Sequence, residues 1–113
     1  MPFIGNREFA VKAVGESFYD SNLRELCGPA ADHMRQFVKT AILTLENDNP
    51  HDENAVRVDV DDLTVGHLSR SDAKRFRAAY AGRSTSRFPC AALLISLRGN
   101  AASDYGVRLD LYI

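Results

Sequence analysis

The sequence has few cysteines, and this limits the classes to which the protein can belong. Its two cysteines, Cys27 and Cys90, lie far apart and form no CxxC motif and no Cys/His cluster. We therefore expect neither a disulfide framework nor a structural zinc site, and we interpret both residues as buried free thiols in a reducing compartment. No metal and no other cofactor is predicted.

Long apolar runs and an excess of charge are also missing. No apolar stretch approaches the ~20 residues that cross a bilayer, and the N-terminus lacks the basic region followed by an apolar region that marks a signal peptide. The formal net charge is −1, so a polyanion can be attracted only by a local patch. These features predict a soluble, cytoplasmic protein without a membrane partner.

Catalytic and phosphate-binding motifs are absent as well. The sequence contains no GxSxG motif and no G-x-x-x-x-G-K-[ST] loop. His51, Asp52 and His67 do not have the spacing of a metal-binding set. The acidic segment that starts at Asp48 lacks the glycine of a calcium loop and has Pro50 at the third position. We therefore expect a protein that is not an enzyme.

The 113 residues have an ordinary globular composition, 45% hydrophobic and 26% charged, and fit a single domain over 1–113. Alternating or β-branched segments predict six strands. Val56, Val58 and Val60 are the clearest alternation, and Asp61-Asp62 is a tight connection into the next strand. The predicted strands cover residues 7–14, 37–46, 55–60, 63–68, 87–97 and 105–113, and residues 30–36 remain ambiguous.

Two helices are predicted between these strands. The first lies within SNLRELCG, with Asp20 or Ser21 as its cap and Gly28-Pro29 as its stop. The second covers SRSDAKRFRAAYAG, where Ser69 and Asp72 resemble a capping box and Gly82 is placed at the C′ position. Six strands and one or two helices predict a mainly β, α+β domain built on a small, strongly curved sheet or partly closed barrel.

Charge is segregated along the chain. Residues 46–62 hold seven acids and only one base, Arg57, for a net charge of −6. Residues 69–87 hold six bases and only one acid, Asp72, for a net charge of +5. The basic segment is either a solvated helix face or a surface that binds phosphate. Five of its six bases are arginine, which binds phosphate with two parallel hydrogen bonds.

The segment NPHDENAVRVDV, residues 49–60, leads into the third predicted strand through an unusually polar corner. Asn49, Asp52 and Asn54 are common in turns, where their side chains bind nearby backbone groups. The same residues, together with His51, could instead face a ligand. His67 is open to a structural interpretation too, and Gly66 beside it indicates a bulge or a close backbone approach.

Three blocks, VGESFYD (14–20), NPHDENAVRV (49–58) and VGHLSRSDA (65–73), resemble the HIRAN domain over roughly residues 7–113. This domain is found at the N-terminus of helicase-like transcription factor and related DNA repair ATPases, and alone in short bacterial proteins. The resemblance implies a small OB-like or SH3-like curved β-barrel that binds single-stranded DNA at a free 3′-hydroxyl end. It also implies a role in DNA repair or replication-fork processing, a helicase or nuclease partner, and association with the nucleoid in a bacterium.

The resemblance assigns site residues block by block. Ser17, Phe18 and Tyr19 match a basic residue and two aromatics of the family. Asn49, His51 and Asp52 match the residues that surround the terminal nucleotide. His67 and Arg70 match residues near the phosphates, and Lys74 follows Arg70 on the same basic helix. A later aromatic of the family has its nearest counterpart in Leu97. Ser17 and His51 depart from the pattern, since Ser17 carries no charge and His51 replaces a tyrosine.

The chemistry of these residues suits a DNA end. The carboxylate of Asp52 can accept a hydrogen bond from a 3′-hydroxyl and would repel a 3′-phosphate. Phe18, Tyr19 and His51 can stack on bases without reading sequence, at ~1–3 kcal/mol per base. In an extended segment, Phe18 and Tyr19 would point in opposite directions, and one of them would belong to the core. The alternative function is a protein-interaction or scaffold module that keeps the fold without binding DNA.

Overall fold

The computed structural model describes residues 8–80, 82–83, 85–99, 103–111 and 113. Two α-helices and one 3-10 helix accompany six β-strands. The strands are β1 (Val11–Lys12), β2 (Arg35–Leu45), β3 (Val56–Val60), β4 (Leu63–His67), β5 (Arg87–Ser96) and β6 (Tyr105–Leu109), and the helices are the 3-10 helix Glu16–Tyr19, α1 (Asp20–Cys27) and α2 (Arg70–Ala79).

All six strands pair antiparallel in one curled sheet with the order β1-β6-β5-β2-β3-β4. The two ends of this sheet meet at Val14 and His67, which exchange backbone hydrogen bonds of 2.8 and 3.0 Å. Gly66 permits this contact, because a Cβ there would lie 2.9 Å from the carbonyl oxygen of Val14. The predicted close approach at Gly66, and the predicted mainly β, α+β class with an OB-like curved barrel, are confirmed.

The core lies inside the curl and follows the alternation of the strands. Val56, Val58 and Val60 are fully buried, as the period of two predicts. Phe76 of α2 packs against Tyr80 and Phe88 with ring centroids 4.8 and 5.3 Å apart, so the helix covers one part of this core. Both cysteines are free and buried, as predicted, and burial raises the pKa of the Cys90 thiol to about 12.

The tight connection at Asp61-Asp62 is confirmed. Both residues have positive φ angles, 50° and 64°, as the central residues of a type I′ hairpin turn do. The capping of α2 by Ser69 is also confirmed, because the Ser69 side chain accepts a 3.1 Å hydrogen bond from the Asp72 N–H. The Asp72 carboxylate, however, binds Arg75, whereas a full capping box would direct it to Ser69.

Several predicted boundaries are wrong. β1 is limited to Val11–Lys12, because Phe9 has a φ of 51° and Val14 pairs with β4; residue 7 lies outside the described residues. The ambiguous stretch 30–36 ends in strand, since β2 begins at Arg35. The guanidinium of Arg35 donates to the carbonyl oxygens of Cys27 and Pro29.

The helix caps differ from the prediction in two places. Helix α1 begins at Asp20 with Tyr19 as its N-cap and no side-chain cap, so neither Asp20 nor Ser21 has the expected role. Its predicted stop at Gly28 is correct, with a 2.7 Å bond from the Gly28 N–H to the Arg24 carbonyl. Helix α2 ends at Ala79 with Tyr80 as its C-cap, which places Gly82 one residue beyond C′.

Candidate nucleic-acid interface

The corner between β2 and β3 is built from side chains that bind their own backbone. Asn49 Oδ1 accepts hydrogen bonds from the His51 and Asp52 N–H groups at 2.8 and 3.2 Å. Asp52 Oδ1 accepts one from the Asn54 N–H at 2.9 Å. The turn interpretation is therefore correct, and it leaves Asp52 Oδ2 without a hydrogen-bond donor among the residues that the structure describes.

Arg77 of α2 supports this corner through its guanidinium group. Its guanidinium donates to the carbonyl oxygens of Asn54 and Ala55 at 2.7 and 2.9 Å and to Asn47 Oδ1 at 2.7 Å. A planar arginine fork that satisfies three acceptors fixes their relative positions. Sequence reasoning left the bases of residues 69–87, including Arg77, as either a solvated helix face or a phosphate-binding surface, whereas the structure uses Arg77 as an internal support. The available signal was its position beside the apolar stripe of Phe76 and Tyr80.

Glu46 is a second support that sequence reasoning missed. Its Oε1 lies 2.8 Å from His67 Nε2 and 3.4 Å from the side-chain amide nitrogen of Asn49, and its Oε2 lies 3.5 Å from a guanidinium nitrogen of Arg57. Arg57 also binds Asp59 at 3.0 Å, and these partners raise the pKa of Arg57, with the Asp59 hydrogen bond as the largest cause. Glu46 thus joins the end of β2 to β3, β4 and the corner.

The aromatics of the first block lie on the other side of His67. Gly15, with a φ of 79°, starts the 3-10 helix Glu16–Tyr19, so this segment is not extended. The Tyr19 ring is half-buried with its centroid 6.2 Å from that of the His67 ring. Phe18 is 86% exposed, and Ser17 is also exposed. The Tyr19 ring therefore turns inward and the Phe18 ring turns outward. The cause is the geometry of the 3-10 helix and not the alternation of an extended strand.

The basic segment 69–87 presents fewer unpaired cations than its sequence predicts, because several of its arginines have protein partners. Arg75 pairs with Asp72 at 2.6 Å, Arg77 supports the corner, and the Arg83 guanidinium lies 5.7 Å from the Tyr80 ring centroid. Arg70 and Lys74 remain exposed one turn apart. Arg70 is the first residue of α2 and donates a 3.3 Å hydrogen bond to the His51 carbonyl, which places it at the corner.

These contacts form one continuous chain. Tyr19 contacts His67, His67 contacts Glu46, Glu46 contacts Asn49, and Asn49 binds the backbone of His51 and Asp52, which Arg70 also reaches. The structure therefore brings the three sequence blocks together. Phe18 and Ser17 adjoin Tyr19, and Lys74 adjoins Arg70. Leu97 follows β5 at the end remote from Arg87, with its N–H on the Asp104 carbonyl, and is not part of this chain of contacts.

The described helices include none that is long and apolar enough to cross a membrane. In the same described residues, no three His, Cys, Asp or Glu side chains form a group that could hold a metal ion.

Comparisons with known proteins identify the family of the chain. No curated protein and no solved structure matches the chain significantly. The family model of the HIRAN domain matches residues 6–111, which is nearly the whole chain. The chain therefore belongs to the HIRAN domain family, whose domain binds DNA rather than catalysing a reaction.

Proposed function

We propose that this HIRAN domain recognises the 3′-hydroxyl end of single-stranded DNA at the surface between the 3-10 helix, the 49–54 corner and the start of α2, and that it does so in DNA repair or replication-fork processing. Family membership implies binding of single-stranded DNA 3′ ends in a broad sense. The proposal adds the site, the chemical group at the end and the residue roles.

The contact chain from Tyr19 through His67 and Glu46 to Asn49 is the observation that carries the proposal. It gathers stacking rings, an acceptor carboxylate and an arginine from three separate segments of the sequence. The function needs this combination, because a DNA end offers bases, one hydroxyl and a few phosphates within a short distance.

We assign recognition of the 3′-hydroxyl group to Asp52. Its Oδ1 is occupied by the Asn54 N–H, while Oδ2 has no donor in the described part of the chain and can accept the 3′-hydroxyl proton. A 3′-phosphate would bring negative charge against this carboxylate. Asn49 holds the Asp52 backbone through Oδ1, so the acceptor is fixed before the ligand arrives.

We assign stacking on the DNA bases to Phe18, Tyr19 and His51. Phe18 exposes 86% of its surface, so its ring is available to stack on a base. The His51 side chain is exposed, and the half-buried Tyr19 ring lies with its centroid 6.2 Å from that of His67. Stacking on such rings tolerates any base, so we expect little dependence on sequence.

We assign phosphate binding to Arg70 and Lys74. The N-terminus of α2 also favours an anion at this position. Within the acidic segment, whose net charge of −6 already counts Arg57, Glu46 and Asp59 are paired with this arginine. Asp48, Glu53, Asp61 and Asp62 stay exposed and limit the net attraction. Binding should therefore depend only weakly on salt, as expected for few phosphate contacts.

The test is a fluorescence anisotropy titration with single-stranded oligonucleotides that differ only in a 3′-hydroxyl or 3′-phosphate. We expect at least about tenfold tighter binding of the hydroxyl, since a hydrogen bond to a charged group contributes ~1.5–3 kcal/mol. Asp52→Ala should lose this discrimination, whereas Glu53→Ala removes a neighbouring exposed carboxylate and should retain it. Equal affinity of the wild type for both ends would refute the proposal.

Arg70→Ala separates phosphate binding from end recognition. It should weaken binding of both oligonucleotides by a similar factor and reduce the salt slope. Arg98→Ala, which removes an exposed arginine paired with Asp32, is the matched control and should bind like the wild type. Folded protein that binds neither oligonucleotide at low salt would favour the scaffold function.

A further inference from the structure

A cleft of about 310 Å³ lies beside the 3-10 helix and against β1, β5 and β6. Ser17 lies at its edge, and Lys12, Met34, Ile95, Gly106 and Arg108 contribute to its walls. None of the last five residues belongs to the proposed end site. The volume lies at the lower limit of small-ligand pockets and suits one nucleotide.

The cleft is lined by two neighbouring positive charges, on Lys12 and Arg108. They are direct partners in the register of β1 and β6, and both are exposed. Like charges opposite each other on neighbouring strands are destabilising. Within the described residues, neither cation makes an ion pair closer than 4 Å that would relieve the repulsion. A polyanion would offset it, which points to phosphate groups as the ligand.

The acid within the cleft, Glu16, offsets part of the Lys12 charge but contributes little to the opening. Glu16 is only 8% exposed, and its carboxylate is held by a backbone hydrogen bond from Glu16, by the charge of Lys12 and by a backbone hydrogen bond from Val107. The opening is therefore dominated by the exposed cations. The remaining wall is apolar, because Met34 is 54% exposed and Ile95 lies beside it. A flexible thioether and an aliphatic chain can cover the face of a base without selecting its identity.

The 3-10 helix connects the cleft to the proposed end site. Ser17 lines the cleft, Phe18 follows it, and Tyr19 contacts His67. A 3-10 helix rises ~2.0 Å per residue, so Ser17 lies ~4 Å along the helix axis from Tyr19, close to the ~3.4 Å between successive nucleotides of a stacked strand. A strand whose last base lies at Tyr19 would therefore bring its second or third nucleotide from the 3′ end to the cleft.

We infer that the cleft binds the DNA strand upstream of its 3′ end, with Lys12 and Arg108 on the phosphates and Met34 and Ile95 beside a base. The inference rests on the proposed function, because it uses the same strand and fixes its direction across the surface. It assigns this domain a footprint of about three or four nucleotides, with the 3′ end at the 49–54 corner and the 5′ side at β1 and β6.

The test is a competition titration in which unlabelled oligothymidylates of two to eight nucleotides, all with a 3′-hydroxyl, displace a labelled octamer. We expect an increase in affinity of about tenfold between two and four nucleotides, with a salt slope steeper by ~1.4 for two added phosphate contacts. In the Lys12→Ala/Arg108→Ala double variant this increase should disappear. Lys39→Ala, which removes a half-buried lysine from a different cavity, should retain it.

The outcomes separate the two proposals. An increase with length that persists in the double variant, or no increase in the wild type, would overturn the inference while end recognition stands. Equal competition by 3′-hydroxyl and 3′-phosphate octamers would overturn end recognition. If the double variant still lost the length dependence in that case, the cleft would stand as a DNA site. Circular dichroism of each variant should show that it is folded.

Discussion

His67 Nε2 lies 2.8 Å from Glu46 Oε1, and this contact links the strand that closes the sheet to the polar corner. The His67 backbone exchanges two hydrogen bonds with Val14, so the same residue holds the segment that leads to Phe18 and Tyr19. Glu46 in turn reaches Asn49 and Arg57. The position of the stacking rings relative to Asp52 therefore depends on one carboxylate.

Replacing Glu46 with alanine should uncouple these elements. His67, Asn49 and Arg57 lose a common acceptor, and we expect the free energy of unfolding to fall by about 1–3 kcal/mol. The ratio of affinities for 3′-hydroxyl and 3′-phosphate DNA should also fall, because Asn49 no longer has a fixed side chain to hold the Asp52 backbone. Urea denaturation and the anisotropy titration measure the two effects. Glu53→Ala is the control, and an equal response of both variants would contradict the role of Glu46.

Arg77→Ala should loosen the corner from its other side. Three acceptors lose their donor, and the carbonyl of Asn54 is partly buried, so we expect a loss of about 2–3 kcal/mol in unfolding free energy. Arg77→Lys keeps the charge but cannot reproduce the fork, and it should restore less than half of the loss.

The matched control for Arg77 is Arg75→Ala on the same helix, which removes an exposed i, i+3 ion pair with Asp72 that is worth ~0.3–0.5 kcal/mol. If Arg77→Lys were as stable as the wild type, charge rather than hydrogen-bond geometry would explain the contribution of Arg77.

Local patterns were sufficient to predict much of this fold. Val56, Val58 and Val60 define a strand because burial on one face imposes a period of two, and Ser69 is a good cap because its hydroxyl reaches the Asp72 N–H. The α+β class and the curved sheet follow from such elements. The placement of the three blocks on one surface was available only through the family resemblance.

The supports of the site were not predictable in this way. Glu46 and His67 are 21 residues apart and Arg77 and Asn54 are 23 apart, and no periodicity specifies such pairs. Charge counting placed Glu46 in an acidic segment and Arg77 in a basic one, but it could not show that each is held by protein partners. The DNA-binding roles of Ser17, Phe18, Tyr19, Asn49, His51, Asp52, His67, Arg70 and Lys74 stay predictions.

Gly66→Ala should test how the sheet closes. The added Cβ would lie 2.9 Å from the Val14 carbonyl oxygen and 3.4 Å from the Ala13 Cβ, so backbone must move. We expect a loss of about 1–3 kcal/mol in unfolding free energy and weaker DNA binding, because the 3-10 helix shifts away from His67.

Gly82→Ala is the comparison for Gly66, because a Cβ at Gly82 meets no atom within 4 Å and is disfavoured only by its φ of 82°. That variant should be less stable than the wild type but should bind DNA with wild-type affinity. Normal DNA binding by Gly66→Ala would show that the closure does not position the rings.

Glu16 should make the stability of the domain depend on pH. Burial is the largest influence on this carboxyl group and raises its pKa above the ordinary value of 4.5. Between the unfolded and the folded pKa, the folded protein binds more protons than the unfolded chain, so stability falls as pH rises through this window. Below the unfolded pKa the group is protonated in both states and the full stability is present. Glu16→Gln removes the titration and keeps one acceptor for the backbone.

The measurement for Glu16 is urea denaturation of wild type and Glu16→Gln from pH 4 to pH 7. The difference in unfolding free energy should move in favour of the variant as pH rises, because the wild type must ionise a buried carboxyl group and the variant need not. Glu25→Gln, an exposed position on α1, should show no such trend. A difference that stays constant with pH would mean that the Glu16 carboxylate is stabilised as well in the folded chain as in water.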